Sequence, residues 1–182
     1  DAITIINEAK EKIDTLINVY LRGNLCEAIS IAGELLTQLT PSYCEAGSYF
    51  YRARSNDSGY LFKIEEMFHI PYEYRHKITN QRYSISGLPC LYIASSTYLA
   101  WEELGRPNYQ TCNFCLLANT FRLHYFDLCI PASVSSLNDI LKTCLALASS
   151  LKSQKGHIFK LEYILPQCLL QAITANHDYA ND

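Results

Sequence analysis

The stretch from Gln81 to Glu103 narrows the options more than any other part of this 182-residue chain. It reads Gln-Arg-Tyr-Ser-Ile, a Ser86-Gly87-Leu88-Pro89 turn, the apolar run Cys90-Leu91-Tyr92-Ile93-Ala94, and Ser95-Ser96 ahead of a helical pattern to Leu104. Alternation over 81–85 predicts a strand with one face turned from the core, and the apolar run predicts a strand buried on both faces. Ser95 or Ser96 can cap the helix that follows, and Gly105-Arg106-Pro107 ends it. Arg82, Tyr92 and Glu103 follow one another at steps of ten and eleven residues, on a polar strand, an apolar strand and a helix. That layout suits a pocket for a phosphate-bearing small molecule with an aromatic head better than it suits plain core.

The flanking regions supply a frame. Ile6, Ala9, Ile13, Leu16, Ile17 and Tyr20 recur at three- and four-residue steps with Lys10, Glu11 and Asp14 between them, which predicts an amphipathic helix. After a break at Arg22-Gly23-Asn24, Leu25, Ala28, Ile29, Ala32, Leu35 and Leu36 predict a second helix ending before Thr40-Pro41. Residues 1–40 therefore read as a helical hairpin extension that must lie against something, and 41–182 as the main domain. Tyr49–Arg54 has strand character, Met67–Pro71 is a short apolar segment, and 72–80 is a loop or short helix. Strands are expected over Asn113–Phe121 and Leu123–Cys129, with helices over Leu137–Leu151 and Ile158–Ala175, the last started or kinked by Pro166. Helices, then strands, then helices make an α+β domain and not a βαβ series.

Composition excludes several classes. An apolar fraction of 49% and a charged fraction of 18% belong to a folded chain. A net charge of −3 leaves no electrostatic footprint for nucleic acid or an anionic membrane. No run approaches eighteen apolar residues, so no membrane span is expected. The chain opens at Asp1 without a methionine or signal-peptide pattern, and reads as a trimmed or excised polypeptide. Its eight cysteines mostly sit in apolar or helical surroundings, where a free thiol acts as a small hydrophobe; a reduced, cytoplasmic protein is the expectation. Cys112-Asn113-Phe114-Cys115 is a lone C-x-x-C, and no histidine stands at metal-ligand spacing from it, so no metal is expected.

Few residue types here carry chemistry on their own. The Arg82 guanidinium, a rigid fork of five donors, suits a phosphate or carboxylate, and Arg52 beside Phe50 and Tyr51 could clamp a pyrophosphate with it. Either arginine could equally be a surface residue paired with an acid. Tyr92 offers a stacking face for a planar base, although in a chain with 14 tyrosines it also reads as core. Glu102 has Arg106 four residues on, a favourable surface pair, which leaves Glu103 freer to face a cleft and oppose an oxocarbenium-like centre. Helix solubility would explain either glutamate. His69, between Phe68 and Ile70, reads as a hydrogen-bonded core residue. No Ser/His/Asp spacing, P-loop or G-x-G-x-x-G occurs.

Taken together, Phe50-Tyr51-Arg52-Ala53-Arg54, Phe68-His69-Ile70-Pro71, the Gln81–Glu103 block and, more weakly, Glu162-Tyr163-Ile164-Leu165-Pro166-Gln167 resemble the RES domain, named for its arginine, glutamate and serine signature. The likeness covers roughly residues 47 to 175. It implies an ADP-ribosyltransferase-like split β-sheet core with flanking helices. It also implies a toxin of a toxin–antitoxin pair that destroys NAD at the nicotinamide–ribose bond by hydrolysis or phosphorolysis, with NAD as substrate and no cofactor. Position by position it implies Arg52 and Arg82 as binders of the NAD phosphates, Tyr92 as the nicotinamide-side aromatic, and Glu103 as the carboxylate facing the reacting ribose. Two departures stand out. Many RES domains have Arg-Trp-Asn where this chain has Arg82-Tyr83-Ser84. The family's serine follows the final helix near a Gly-Ile-Arg-Tyr-Ser-like strand, and the sequence ends at Asn181-Asp182 where that strand should begin; Ser149, Ser150 and Ser153 precede the helix and are poor substitutes. A C-terminally truncated domain is therefore expected.

Two other readings stay open. ADP-ribosyl transfer to a macromolecule would change only the acceptor. A non-catalytic module would bind NAD without turnover and use the hairpin to dock a partner such as an antitoxin, or a second copy in a homodimer.

Overall fold

In the computed structural model, which describes residues 1–153, 156 and 158–175, the chain is α+β. The elements in order are α1 (Ala2–Leu21), α2 (Leu25–Thr37), β1 (Ser42–Cys44), β2 (Tyr49–Ser55), α3 (Thr97–Glu103), β3 (Cys112–Ala118), β4 (Leu123–Tyr125), α4 (Leu137–Ser149) and α5 (Ile164–Ala175). They form two compact units, one from residues 1–43, 80–85 and 124–182, the other from 44–79 and 86–123. β1 pairs with β4, and β2 with β3.

The first unit is a helical bundle. Asp1 caps α1 by accepting from the Thr4 amide at 2.9 Å. Gly23, at φ +88°, takes the left-handed turn between the helices, and Asn24 caps α2 by accepting from the Glu27 amide. The apolar stripes of the hairpin close on α4 and α5: Leu16, Ala28, Ala32, Leu35, Leu145 and Cys168 are all sealed from solvent in one core. Gly33 faces the Ala172 methyl at the distance an added Cβ would touch it, which lets α2 and α5 approach closely. The hairpin of residues 1–40 thus finds its packing surface on the C-terminal helices. α4 starts on a reciprocal cap between Ser136 and Asp139.

α5 is shorter than its periodicity suggests. It begins at Ile164, not Ile158, and Leu161–Tyr163 form a separate 3₁₀ turn. Pro166 explains the start: in the first turn its missing amide hydrogen costs no intrahelical bond, whereas further in it would break one.

The second unit is built on the antiparallel β2–β3 ladder, in which Arg52 stands opposite Cys115 and Tyr49 opposite Ala118. β3 stops at Ala118, three residues short of the expected Phe121, because the Asn119 side chain takes the Glu45 and Phe121 carbonyls and turns the chain. β4 likewise ends at Tyr125 and not at Cys129. Ile64–Met67, Tyr72–Lys77 and Tyr109–Thr111 are 3₁₀ turns.

Two of the expected strands are corrected. Residues 81–84 form a tight turn closed by a single bridge, Gln81 to Ser84. Among the described residues no strand lies alongside; the Gln81 and Ser84 carbonyls accept each other's amides and a second donor from a side chain. The run Cys90–Ala94 is irregular except at its end, where Ala94 exchanges two backbone bonds with Tyr51 at 2.7 and 2.8 Å. Pro89 cannot donate to a ladder, and the segment reaches β2 only at this last residue.

Candidate functional site

Three alanines join the segments that carry three of the candidate residues. Ala53 on β2, Ala94 at the end of the irregular run and Ala100 on α3 are buried together, with Phe114 of β3 packed on them. A methyl is the largest group each position carries, so the helix and the 90–94 segment both lie close to the strand. Arg52 is the neighbour of Ala53, Tyr92 lies two residues before Ala94, and Glu103 lies three residues after Ala100. Successive strand side chains point to opposite faces, so Arg52 lies across β2 from these alanines and meets the 90–94 segment through the Tyr92 carbonyl.

Arg52 has the most constrained side chain of the three. Its Nη1 donates to the Tyr92 carbonyl at 2.8 Å. Its Nε is buried and has no hydrogen-bond partner, an arrangement that costs free energy unless a ligand supplies an acceptor. Burial, and then the neighbouring Arg54 charge, pull its pKa below the usual arginine range. Cys115, opposite on β3, is pushed up by burial and only partly offset by Arg52. Arg54 is occupied elsewhere: it lies over the Phe62 ring at 4.4 Å and donates to the Glu66 carbonyl. Tyr92 is half-buried.

α3 starts where the sequence predicts, with Ser96 accepting from the Leu99 amide at 3.1 Å. Glu102 pairs with Arg106 at 2.7 Å, as its spacing predicts, and that partner holds the Glu102 carboxyl below its usual range. Gly105 at φ +83° and Arg106 at φ +58° stop the helix, and the Trp101 indole donates to the Pro107 carbonyl at 2.8 Å. Glu103, the last residue of α3, is left exposed.

Arg82 belongs to the helical unit, whereas Arg52, Tyr92 and Glu103 belong to the other. Its Nη1 donates to the Ser149 carbonyl and its Nη2 to the Leu151 carbonyl at 2.8 Å, so it caps the C-terminal end of α4. Cationic donors are favoured there by the helix dipole. The guanidinium also lies 5.2 Å from the centre of the Tyr163 ring. The turn that carries it is pinned by Gln167, 4% exposed, whose Nε2 donates to Asn80 Oδ1 at 2.6 Å, to the Gln81 carbonyl at 2.7 Å and to the Ser84 carbonyl at 3.4 Å. Sequence reasoning passed over Gln167. The available signal was a lone amide in an otherwise apolar run, Ile164 to Ile173.

Other expectations resolve quickly. His69 is exposed and not core, with Nδ1 3.0 Å from the Ile70 carbonyl. Among the described residues no cluster of three or more His, Cys, Asp or Glu side chains could hold a metal. Nor is any helix long and apolar enough to cross a membrane. Ser149 is buried at the end of α4, and the sequence around Asn181-Asp182, where the family's serine strand is expected, lies outside the described residues.

Comparison with known proteins adds two relatives. A protein of Bacillus subtilis (strain 168) named "Putative toxin YopC" is 34% identical over 144 residues, a match that takes in 67% of this chain and 32% of that protein. The transcription factor IIIB 50 kDa subunit of Rattus norvegicus is 27% identical over 143 residues, 76% of this chain and 32% of the relative. The chain thus spans about a third of the length of the curated relatives it matches. No family model matches it, and no solved structure does.

Proposed function

We propose that this chain is the NAD-cleaving part of a RES-type toxin, acting in the cytoplasm and held in check by an antitoxin. The observation that carries the reading is the buried, unpartnered Arg52 Nε on a guanidinium that also holds the Tyr92 carbonyl, in the residue pattern for which the RES resemblance gives roles. The 34% identity to a protein named as a toxin points the same way.

In this reading the buried Arg52 Nε, which lacks an acceptor, finds one in a phosphate oxygen of NAD. The Tyr92 ring stacks on the nicotinamide. As the bond between the ribose anomeric carbon and the nicotinamide nitrogen breaks, its electron pair leaves with neutral nicotinamide. Positive charge grows on the ribose, and the Glu103 carboxylate opposes it. Water or phosphate then bonds to the anomeric carbon and gives up a proton. Position and electrostatics supply the rate enhancement, and no redox step is needed.

A nicotinamide-release assay on the whole chain tests this. Parent protein should release nicotinamide from NAD, and Arg52→Ala and Glu103→Ala should each abolish release while retaining the parent's circular dichroism spectrum. Folded variants that consume NAD at the parent rate would overturn the assignment. Label from adenine-labelled NAD should stay in small molecules; label on a macromolecule would instead indicate ADP-ribosyl transfer.

A further inference from the structure

A second group of cations stands in the helical unit. Lys160 Nζ lies 4.7 Å from the centre of the Tyr163 ring and 3.3 Å from its hydroxyl. The Arg82 guanidinium lies 5.2 Å from the same ring centre. Those distances keep two positive charges within one Debye length, about 10 Å in 0.1 M salt, where their repulsion is not screened away. Arg82 is partly compensated by the α4 carbonyls it caps. Among the described residues Lys160 donates to the Tyr163 hydroxyl and to no helix-end carbonyl. Among the described residues neither cation forms an ion pair, and Glu162, the acid nearest in sequence, forms none either. The Tyr163 phenol is drawn below its usual range, first by a hydrogen bond from Ser153, then by Lys160 and by the Arg82 charge. Lys160 and Tyr163 lead directly into α5, whose first turn holds no acidic side chain to meet its positive end.

We infer that Lys160, Tyr163 and Ser153, backed by Arg82, form an oxyanion site for a phosphate-type group. Lys160 has three ammonium hydrogens and one placed acceptor, the Tyr163 oxygen, so two remain for an anion. Ser153 and Tyr163 each carry a hydroxyl that can turn to donate. A tetrahedral dianion would meet a charge, two hydroxyls and a background guanidinium, and would relieve the repulsion between the two cations. The site lies wholly within the helical unit and stands whether or not the chain cleaves NAD.

The anion could come free, as inorganic phosphate, or as the phosphoryl end of a nucleotide, and titration of the whole chain separates these. Inorganic phosphate, with chloride at matched ionic strength as control, should raise the melting temperature and bind saturably by calorimetry. Lys160→Gln should weaken phosphate about tenfold or more, the scale of one charge-assisted hydrogen bond. Lys160→Arg should restore most of it, and Lys10→Gln on α1 should change nothing. Binding of ADP but not phosphate, lost in Lys160→Gln, would keep the site and assign it to nucleotides. Melting in chloride should be alike for parent and variant, which excludes a folding defect. Phosphate and ADP that stabilise no more than chloride, or that bind Lys160→Gln as they bind the parent, would overturn the site.

Discussion

The Arg52 guanidinium donates to the backbone carbonyl of Tyr92 at 2.8 Å, tying the fourth position of β2 to the middle of a segment forty residues away. This bond does two things. It helps hold the irregular 90–94 segment to β2, alongside the Ala94–Tyr51 bridge. It also spends one donor while leaving Nε buried and unpartnered. Arg52→Ala should therefore destabilise the protein, by about 1.5–3 kcal/mol for a hydrogen bond to a charged group, and abolish NAD binding as well. Arg52→Lys should recover part of the stability and little of the binding, because an ammonium lacks the fork. Urea denaturation and NAD titration read the two effects separately. Equal NAD affinity in Arg52→Lys and parent would remove Arg52 from the site.

The alanine cluster predicts a fault transmitted from packing to chemistry. Ala100→Leu inserts three carbons between α3 and β2, where the other contacts are Ala53 and Ala94. Overpacking of this kind costs about 1–3 kcal/mol. Because Glu103 follows on the same helix, nicotinamide release should fall more than tenfold with Glu103 intact, the kind of loss a displacement of about 1 Å produces. Ala100→Gly, which removes bulk and leaves the approach open, should cost stability and spare more of the activity. If Ala100→Leu releases nicotinamide as the parent does, the cluster does not position Glu103.

Gln167 predicts a coupling between the bundle and the signature arginine. Its Nε2 serves Asn80 and two carbonyls of the turn that holds Arg82. Gln167→Leu keeps the volume but takes the donor from Asn80 Oδ1 and leaves the Gln81 and Ser84 carbonyls with each other's amides, at about 1–3 kcal/mol. The turn should loosen, with amide hydrogen exchange rising at Gln81–Ser84 ahead of the rest of the unit. Unchanged protection over 81–84 in that variant would count against the clamp.

Much of the frame was legible in the sequence, and the reasons it was legible are specific. The hairpin shows itself because Leu16, Ala28, Ala32 and Leu35 repeat at helical spacing and are the residues buried. The Glu102–Arg106 pair and the Ser96 cap follow from local spacing alone. The two strands flanking the Ser86–Pro89 turn were misread for the opposite reason: alternation describes a strand only if a partner strand lies beside it, and partners are non-local. Arg82 shows the same limit more sharply. Its acceptors in the helical unit are the carbonyls of Ser149 and Leu151, and a carbonyl has no signature in sequence. The phosphate-binding expectation saw a free fork; the fold gives that fork a helix end to hold.

Asp127 should set the acid limb of stability. It pairs with Lys142 and also accepts from the Cys129 amide, and the lysine above all holds its carboxyl below the usual 3.8. A depressed folded-state pKa means the contribution is complete above the unfolded value. It is lost as pH falls through the lower, folded one. Asp127→Asn should accordingly melt below the parent at pH 7, with the gap closing as pH drops under about 3.8. Melting curves from pH 2 to 7 read this directly. A gap that persists undiminished at pH 2 would mean that Asp127 acts through packing and not through its charge.

The thiols should separate by burial, and the order is fixed by where each sits. Cys168 is fully enclosed in the bundle core, and burial pushes its thiol up to about 11. The thiolate is the reactive form, so at pH 8 Cys168 should resist iodoacetamide until the bundle opens. Cys26 and Cys129 are exposed, but the Asp127 carboxylate raises the Cys129 thiol, so Cys26 should be alkylated first. The raised Cys168 value also has a stability consequence. Its contribution is whole below the unfolded thiol value near 9, and it drains away as pH climbs toward 11, because the unfolded chain then releases a proton that the folded core retains. Mass-resolved alkylation with and without denaturant checks both points. Modification of Cys168 at the rate of Cys26 in native buffer would mean that the bundle opens on the timescale of the reaction, and that the core sealed by α5 is less stable than its burial implies.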